Sequence, residues 1–473
     1  MVVIFLNLLV KPVWIFLIDR NVQLQVGHQA YGLYSALLSL SIIFSIVLDF
    51  GITNYNNRHV ATDSSRLQFS LPNMIVAKAI FSIFYFGLIF ILAFVFHYSG
   101  DALYILLLLG LVQLLNSFLQ FLRSNVSANH DFKLDSLLSI LDKIVMIVVC
   151  GYLLLSPNTK LQFNIHWYLY AQIGAYVLAI LVAIVVIIRR YAKIDFSHFS
   201  FTEMKAFCII SLPYALLILL MGIYMRSDSL LLERLDGPAT SSLYAEAYRI
   251  LDALNMIGFL LAGILLPMFT RLIAKKLKVD EIISTSTNII FSISLCIIAH
   301  SFVYRNDIMH FLDKNAAPEL PMVYALVIAS FPAYCIMYIY STLLTANGDI
   351  KLLVKMALAG CIISISLNLI LIQQWQAIGA GITAVIVQWM MASLSIYYCI
   401  RKFSLSIDRI RIFKFVFLFV LLLALNIILQ YLSVSMLMAV AINIPVYILY
   451  VYASHLWDRQ TIWQYLSQYK SAD

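Results

Sequence analysis

Five basic side chains lie inside long apolar runs: Lys11, Lys78, Lys143, Arg226 and Arg249. Carboxylates accompany them at Asp49, Asp142, Asp228, Glu246 and Asp252. An ionisable group in hydrocarbon costs about 2.5–3.5 kcal/mol on insertion scales, so each needs a partner or a wet cavity. Lys11 precedes Pro12, and a proline bends a helix locally by removing a donor. A bent helix carrying a lone cation could bind an anion; a lysine snorkelling outward is the alternative. Glu246, Arg249 and Asp252 follow one another at intervals of three, which places them on one helix face. With Arg226 and Asp228 at similar depth, they can form one charge network. That network reads either as a salt-bridged outer gate or as a direct ligand contact, and a gate can hold an anion when it opens. Lys78, near the end of its run, reads as a snorkelling side chain. Asp142 and Lys143 project about 100° apart around a helix and are not expected to pair. Asp49 and Asp142 are the carboxylates that could bind H+ or Na+; for Asp49 a plain position at the inner end is the alternative.

The runs that must position these groups dominate the composition. Residues of the set AVILMFWYC make up 63% of the 473 and DEKR only 11%, against about 45–50% and 25% in soluble domains. That few charges cannot cover a water-soluble surface, so the chain is an all-α polytopic membrane protein. Intrinsic disorder, a secreted disulfide scaffold and a collagen-like fibre are excluded as well. The net charge of +8 sits in connections between apolar runs, the pattern of membrane topology rather than of nucleic-acid binding. The six cysteines form no CxxC pair and the nine histidines no HExxH, so no metal site is expected. No P-loop or GxSxG occurs, and no connection exceeds about 22 residues. The chain is therefore read as a non-enzyme without a cofactor.

About fourteen runs are long enough to span a bilayer, which takes roughly 20 apolar residues each. They begin with Val2–Ile18, Gly32–Gly51 and Met74–Phe96, and end with Phe415–Leu432 and Ser435–Tyr452. The first lacks a basic leader and a cleavage site, and reads as a retained span rather than a signal peptide. Its abrupt apolar start suggests that translation begins slightly upstream. Connections after even-numbered spans, with the tail, hold 21 Lys and Arg; those after odd-numbered spans hold 5. Both termini are therefore expected in the cytoplasm.

Two short stretches recur six spans apart. Ser127-Ala-Asn-His-Asp-Phe-Lys-Leu134 resembles Thr345-Ala-Asn-Gly-Asp-Ile-Lys-Leu352, at an offset of 218 residues. Leu33-Tyr-Ser-Ala36 resembles Leu243-Tyr-Ala-Glu246, at an offset of 210. An even number of spans keeps orientation, so the repeat is parallel and its pseudo-two-fold lies along the membrane normal. The expected organisation is a six-helix lobe at 1–206, a second at 207–400, two further helices at 401–452 and a cytoplasmic tail at 453–473, with a cavity between the lobes.

Several motifs resemble a known family. Leu9-Val-Lys-Pro-Val-Trp14, Ile18-Asp-Arg20, Gly27 with Tyr31-Gly-Leu-Tyr34, and Leu48-Asp-Phe-Gly-Ile-Thr-Asn54 open the chain. Tyr224-Met-Arg-Ser-Asp228, Leu231-Leu-Glu-Arg234, Tyr248-Arg-Ile-Leu-Asp252 and Leu265-Leu-Pro-Met-Phe269 open its second half. Together they resemble the polysaccharide-transporter branch (Wzx-type O-antigen and capsule flippases) of the multidrug/oligosaccharidyl-lipid/polysaccharide superfamily. The resemblance implies a bacterial inner-membrane protein that moves a polyprenyl-diphosphate-linked oligosaccharide outward by alternating access. It implies Lys11, Arg226 and Arg249 as cations holding the diphosphate, with Asp228 and Asp252 as ion-pair partners. A glycan polymerase and export machinery are the implied partners. An ion-coupled small-molecule exporter of the same superfamily is the alternative; a membrane glycosyltransferase or a scaffold fits less well.

Overall fold

The apolar runs fold as helices. The computed structural model describes residues 10, 12–51, 67–129, 131–190, 201–405 and 408–456, and no strand occurs among them. Lys11, most of the first expected span and the tail beyond residue 456 lie outside the described residues.

A π-helical turn, Trp14–Asp19, begins two residues after Pro12 and runs directly into α1, Arg20–Phe44. Arg20 N–H donates to Ile15 O, the five-residue step of a widened turn. At Gly27 (φ 83°, ψ 163°) the helix breaks, in a backbone region that glycine enters without strain and side-chain-bearing residues avoid. The first two spans therefore meet at one glycine. The stretch 19–26, expected as connection, continues the first helix.

Next come α2 (Leu67–Val95), α3 (Asp101–Ala128), α4 (Phe132–Leu155), α5 (Ile165–Arg190), α6 (Phe201–Leu235) and α7 (Pro238–Ala274). They are followed by α8 (Asp280–Val303), α9 (Leu320–Ala329), α10 (Phe331–Ala346), α11 (Ile350–Phe403), α12 (Arg409–Tyr431) and α13 (Met436–Ala453). Short helical turns at Pro157–Lys160 and Arg305–Leu312 decorate the connections. Among the described residues, twelve stretches are long and apolar enough to cross a membrane, α9 and α10 counting as one.

Two of the twelve, Trp14–Leu48 and Ile350–Phe403, each contain a break, so fourteen crossing segments result. A straight 54-residue α11 would measure about 80 Å, far beyond the ~30 Å hydrocarbon layer. Its break is at Gln376 (φ 50°, ψ −128°). The reversal there is tight: a Cβ added at Gly379 would lie 2.2 Å from the Leu371 carbonyl oxygen. Only a residue without a side chain fits that approach.

Local structure follows the sequence repeat. Both copies of the eight-residue match occupy helix–turn–helix junctions, α3 to α4 and α10 to α11, with Asp131 and Asp349 at the N-cap positions. Gly27 and Gly237, 210 residues apart, both take positive φ just before the helical segments bearing the Leu-Tyr match.

Packing groups the chain into two compact units, residues 1–245 and 246–473. The first is built on α3 against α5, α4 against α5, and α6 along α1. The repeat assigns α6 to the start of the second lobe, yet it packs within the first unit. The two helices run close at Gly222, where a Cβ would lie in ordinary contact with Ile43 Cα at 3.5 Å. In the second unit α10 lies on α11, and α8 carries both α10 and α12. The two helices beyond the repeat thus dock through α8. Large apolar side chains on the outer faces, Phe94, Leu155, Phe413 and Leu437 among them, are exposed, as lipid-facing positions must be.

Candidate functional site

The predicted charges fall on two helices. Arg226 is half-buried on α6 and Asp228 is buried two residues on, in the first unit. Asp228 accepts a 2.8 Å hydrogen bond from the Tyr244 hydroxyl, which ties α6 to the first turns of α7. Glu246 and Arg249 are both buried on α7, with Asp252 half-buried one step further, in the second unit. Burial of this kind in a membrane helix marks groups that meet other charges or an internal aqueous space.

Three further ionisable sets occupy the first unit, and they correct two expectations. Lys78 does not snorkel. Its ammonium lies 2.8 Å from Asp49 Oδ1 and 2.8 Å from Ser117 Oγ, and it also donates to the carbonyls of Leu48 and Ser117. The lysine satisfies a carbonyl at the end of the short 3-10 turn Ser45–Leu48 and ties α2 and α3 to it. Asp49 is thereby the partner in an ion pair. Asp142 and Lys143 do pair, at 2.8 Å. The 100° offset fixes only where the Cβ bonds point, and a four-carbon lysine stem reaches back across it. The Lys143 ammonium also lies 4.8 Å from the Trp14 ring centre and 5.4 Å from that of Tyr176, a cation held between aromatic faces.

The third set was not singled out in the sequence. Asp19, at the end of the π-turn, is buried and accepts hydrogen bonds from Tyr31 (2.7 Å) and Tyr168 (2.9 Å). Tyr34 stands beside both rings and accepts from Gln172. Asp19 reads as a connection residue if the first span ends at Ile18. The available signal was periodicity, since Ile18 and Val22 are buried one turn apart and continue the helix to Gly27.

Polar contacts also join connections of the first unit. Tyr98, between α2 and α3, donates to Glu233 Oε2 at 2.8 Å, and the Arg234 guanidinium lies 3.5 Å from the Tyr98 ring centre. Burial pushes the Tyr98 hydroxyl pKa well up, and the Glu233 carboxylate adds to the rise. Gln23 donates to Ser242 Oγ at 2.9 Å, and His28 is within 3.2 Å of the same hydroxyl. Gly32 leaves the room for this approach, because a Cβ would overlap the Pro238 carbonyl at 1.6 Å.

In the second unit the buried polar groups are mainly neutral. Gln388 donates to the Tyr334 hydroxyl at 2.9 Å, and Tyr334 meets Tyr248 at 3.3 Å. Asn426 and Asn443 exchange amide hydrogen bonds, with His300 Nδ1 3.1 Å from Asn426 Oδ1. No group of three or more His, Cys, Asp or Glu side chains is placed to hold a metal ion among the described residues.

This architecture recurs in solved structures. The chain aligns with the lipid II flippase MurJ in its inward closed conformation at a TM-score of 0.72 and 13% identity, covering 95% of this chain and 97% of MurJ. An inward-facing multidrug resistance transporter of the MATE family gives 0.63 and 16%, over 84% of this chain and 94% of that one. A MOP-superfamily transporter from Pyrococcus furiosus gives 0.59 and 15%, over 85% and 93%. The fold is that of the MOP superfamily, a multi-pass helical membrane protein. No curated protein sequence matches the chain. Residues 1–273 match the family described as polysaccharide biosynthesis protein, and the chain belongs to it. The resemblance seen in the opening motifs is thus to its own family.

Proposed function

We propose that the chain moves a polyprenyl-diphosphate-linked oligosaccharide, an O-antigen, capsule or exopolysaccharide repeat unit, outward across the bacterial inner membrane by alternating access. The observation that carries this reading is a basic side chain, Arg249, buried on a membrane helix of a polysaccharide-biosynthesis-family protein. A diphosphate is the anionic part of such a lipid, and Arg249, Arg226 and Lys11 are the residues assigned to hold it. Asp228, Glu246 and Asp252 set those cations when the site is empty and close the gate.

Two negative charges moving outward gain about 4.6 kcal/mol per 100 mV of inside-negative potential. Direction therefore needs no nucleotide hydrolysis. Both termini lie in the cytoplasm, and the protein works beside a glycan polymerase and export machinery. A second reading, an ion-coupled exporter of small molecules, draws on the buried carboxylates. Asp142 and Asp49 each sit against a lysine, whereas Asp19 sits against two tyrosine hydroxyls.

Outward exposure of a labelled polyprenyl-diphosphate glycan in vesicles tests the proposal. Wild type is expected to flip it, and Lys11→Ala, Arg226→Ala and Arg249→Ala to fail at normal membrane levels. Normal flipping by all three variants makes these cations structural. Unchanged flipping after the potential is collapsed, with ion gradients held, removes the potential as the driving force. Failure of wild type across several glycans, with drug-type efflux lost in Asp19→Asn, selects the exporter.

A further inference from the structure

The connection between α11 and α12 joins a cationic cluster to an exposed apolar stripe. Residues 401–414 hold Arg401, Lys402, Arg409, Arg411 and Lys414 against one acid, Asp408. The acids in reach are already engaged. Asp408 accepts from the Ile410 and Arg411 backbone N–H groups at 2.9 and 3.3 Å, capping α12, and Asp349 is bonded by Lys402. Lys414 donates to the Ser454 carbonyl at 2.7 Å, binding α12 to the end of α13.

Two arginines are left facing outward. Arg401 is exposed and lies 4.8 Å from the ring centre of Tyr397. Arg409 is exposed and makes no side-chain hydrogen bond or ion pair among the described residues. One face of α12 continues directly from Arg409 through Phe413, Val416, Phe417 and Val420, which are 68, 56, 48 and 55% exposed. Those positions follow at four, seven, eight and eleven residues, so they line up under the arginine. Phe417 stacks on Tyr450 of α13 at 5.8 Å, which gives the stripe a floor shared by two helices.

A guanidinium at the head of a lipid-facing stripe matches one ligand chemistry, a phosphodiester carrying acyl chains. We propose that Arg401 and Arg409 bind the phosphate of an anionic phospholipid whose acyl chain lies along Phe413, Phe417 and Val420. The connection at 271–278 provides the contrast. It is as basic, with Arg271, Lys275, Lys276 and Lys278, but Asp280 and Glu281 follow it at once.

The test is lipid retention on the purified full-length protein by native mass spectrometry, with phosphatidylglycerol titrated against phosphatidylcholine. Wild type is expected to prefer phosphatidylglycerol by roughly tenfold. Arg401→Gln/Arg409→Gln should lose that preference, while Lys275→Gln/Lys276→Gln keeps it. Equal loss in both double variants means diffuse surface attraction and overturns the site, as does full preference in the arginine variant. Should the glutamine pair fail to fold, Arg401→Lys/Arg409→Lys retains charge without the two-pronged guanidinium. It should fall about threefold, and an unchanged preference again overturns the site. Polyprenyl diphosphate displacing phosphatidylglycerol at equal concentration would assign the patch to the transported lipid and refute a phospholipid site. None of these readings depends on flipping.

Discussion

The two units bury polar groups of different character. In the first, membrane helices enclose Lys78 with Asp49, Lys143 with Asp142, and Asp19 with two tyrosines. In the second, away from the α7 charges and the buried Asp313, many enclosed groups are neutral: Asn426 with Asn443 and His300, Tyr324 with Ser301, Ser292 with Tyr447. Ion pairs in low dielectric bind strongly, but each leaves a costly orphan when one member goes. Neutral clusters cost less to lose and hold shape without fixing charge. Contacts in the first unit thus join helices through charge, and those in the second join them largely through neutral groups.

That contrast can be broken at its strongest point first. Lys78→Met removes the ammonium that bonds Asp49, Ser117 and the Leu48 carbonyl, and should cost about 3 kcal/mol in unfolding free energy. Lys78→Met/Asp49→Asn should recover most of it; no recovery would mean that the pair is not the source. Asp142→Asn should cost less, about 2 kcal/mol, because Trp14 and Tyr176 still shelter the Lys143 ammonium. Thermal unfolding of the detergent-solubilised protein ranks the two, and the reverse order would refute the aromatic shelter. In the second unit, Asn443→Leu leaves Asn426 and His300 short of a partner, at about 1.5 kcal/mol. Asn426→Leu/Asn443→Leu should come back toward wild type if the cluster is a neutral frame. The smallest effect is a gain. Gln376 has nearly the backbone angles of Gly100 (φ 57°, ψ −126°), so Gln376→Gly should stabilise by about 1 kcal/mol. An unchanged melting temperature would mean that the hairpin relaxes around the strain.

The sequence made the spans legible because a run of about 20 apolar residues has few other solutions. It misplaced the first turn because Asp19, Arg20, Asn21, Gln23 and Gln25 look like a loop by composition. In the fold Gln23 is 2% exposed and bonded to Ser242, Gln25 donates to the Lys160 carbonyl and Asp19 accepts from Tyr168, long-range contacts that no local pattern announces. Lys78 looked like a snorkelling residue from its place near a helix end, because its partner Asp49 lies 29 residues earlier in the chain. The positions of Arg226 and Arg249 were readable because each interrupts an apolar run.

The hairpin at Gln376 also bears on how the protein is made. Its turn, Gln373 to Ala377, carries no charge that could anchor the first arm while the second is still in the ribosome. Gly379 packs on Leu371 only when both arms are present. The two arms are therefore expected to enter the membrane together as one hairpin, with Lys402 and Asp349 joining at its open end once synthesis has passed both.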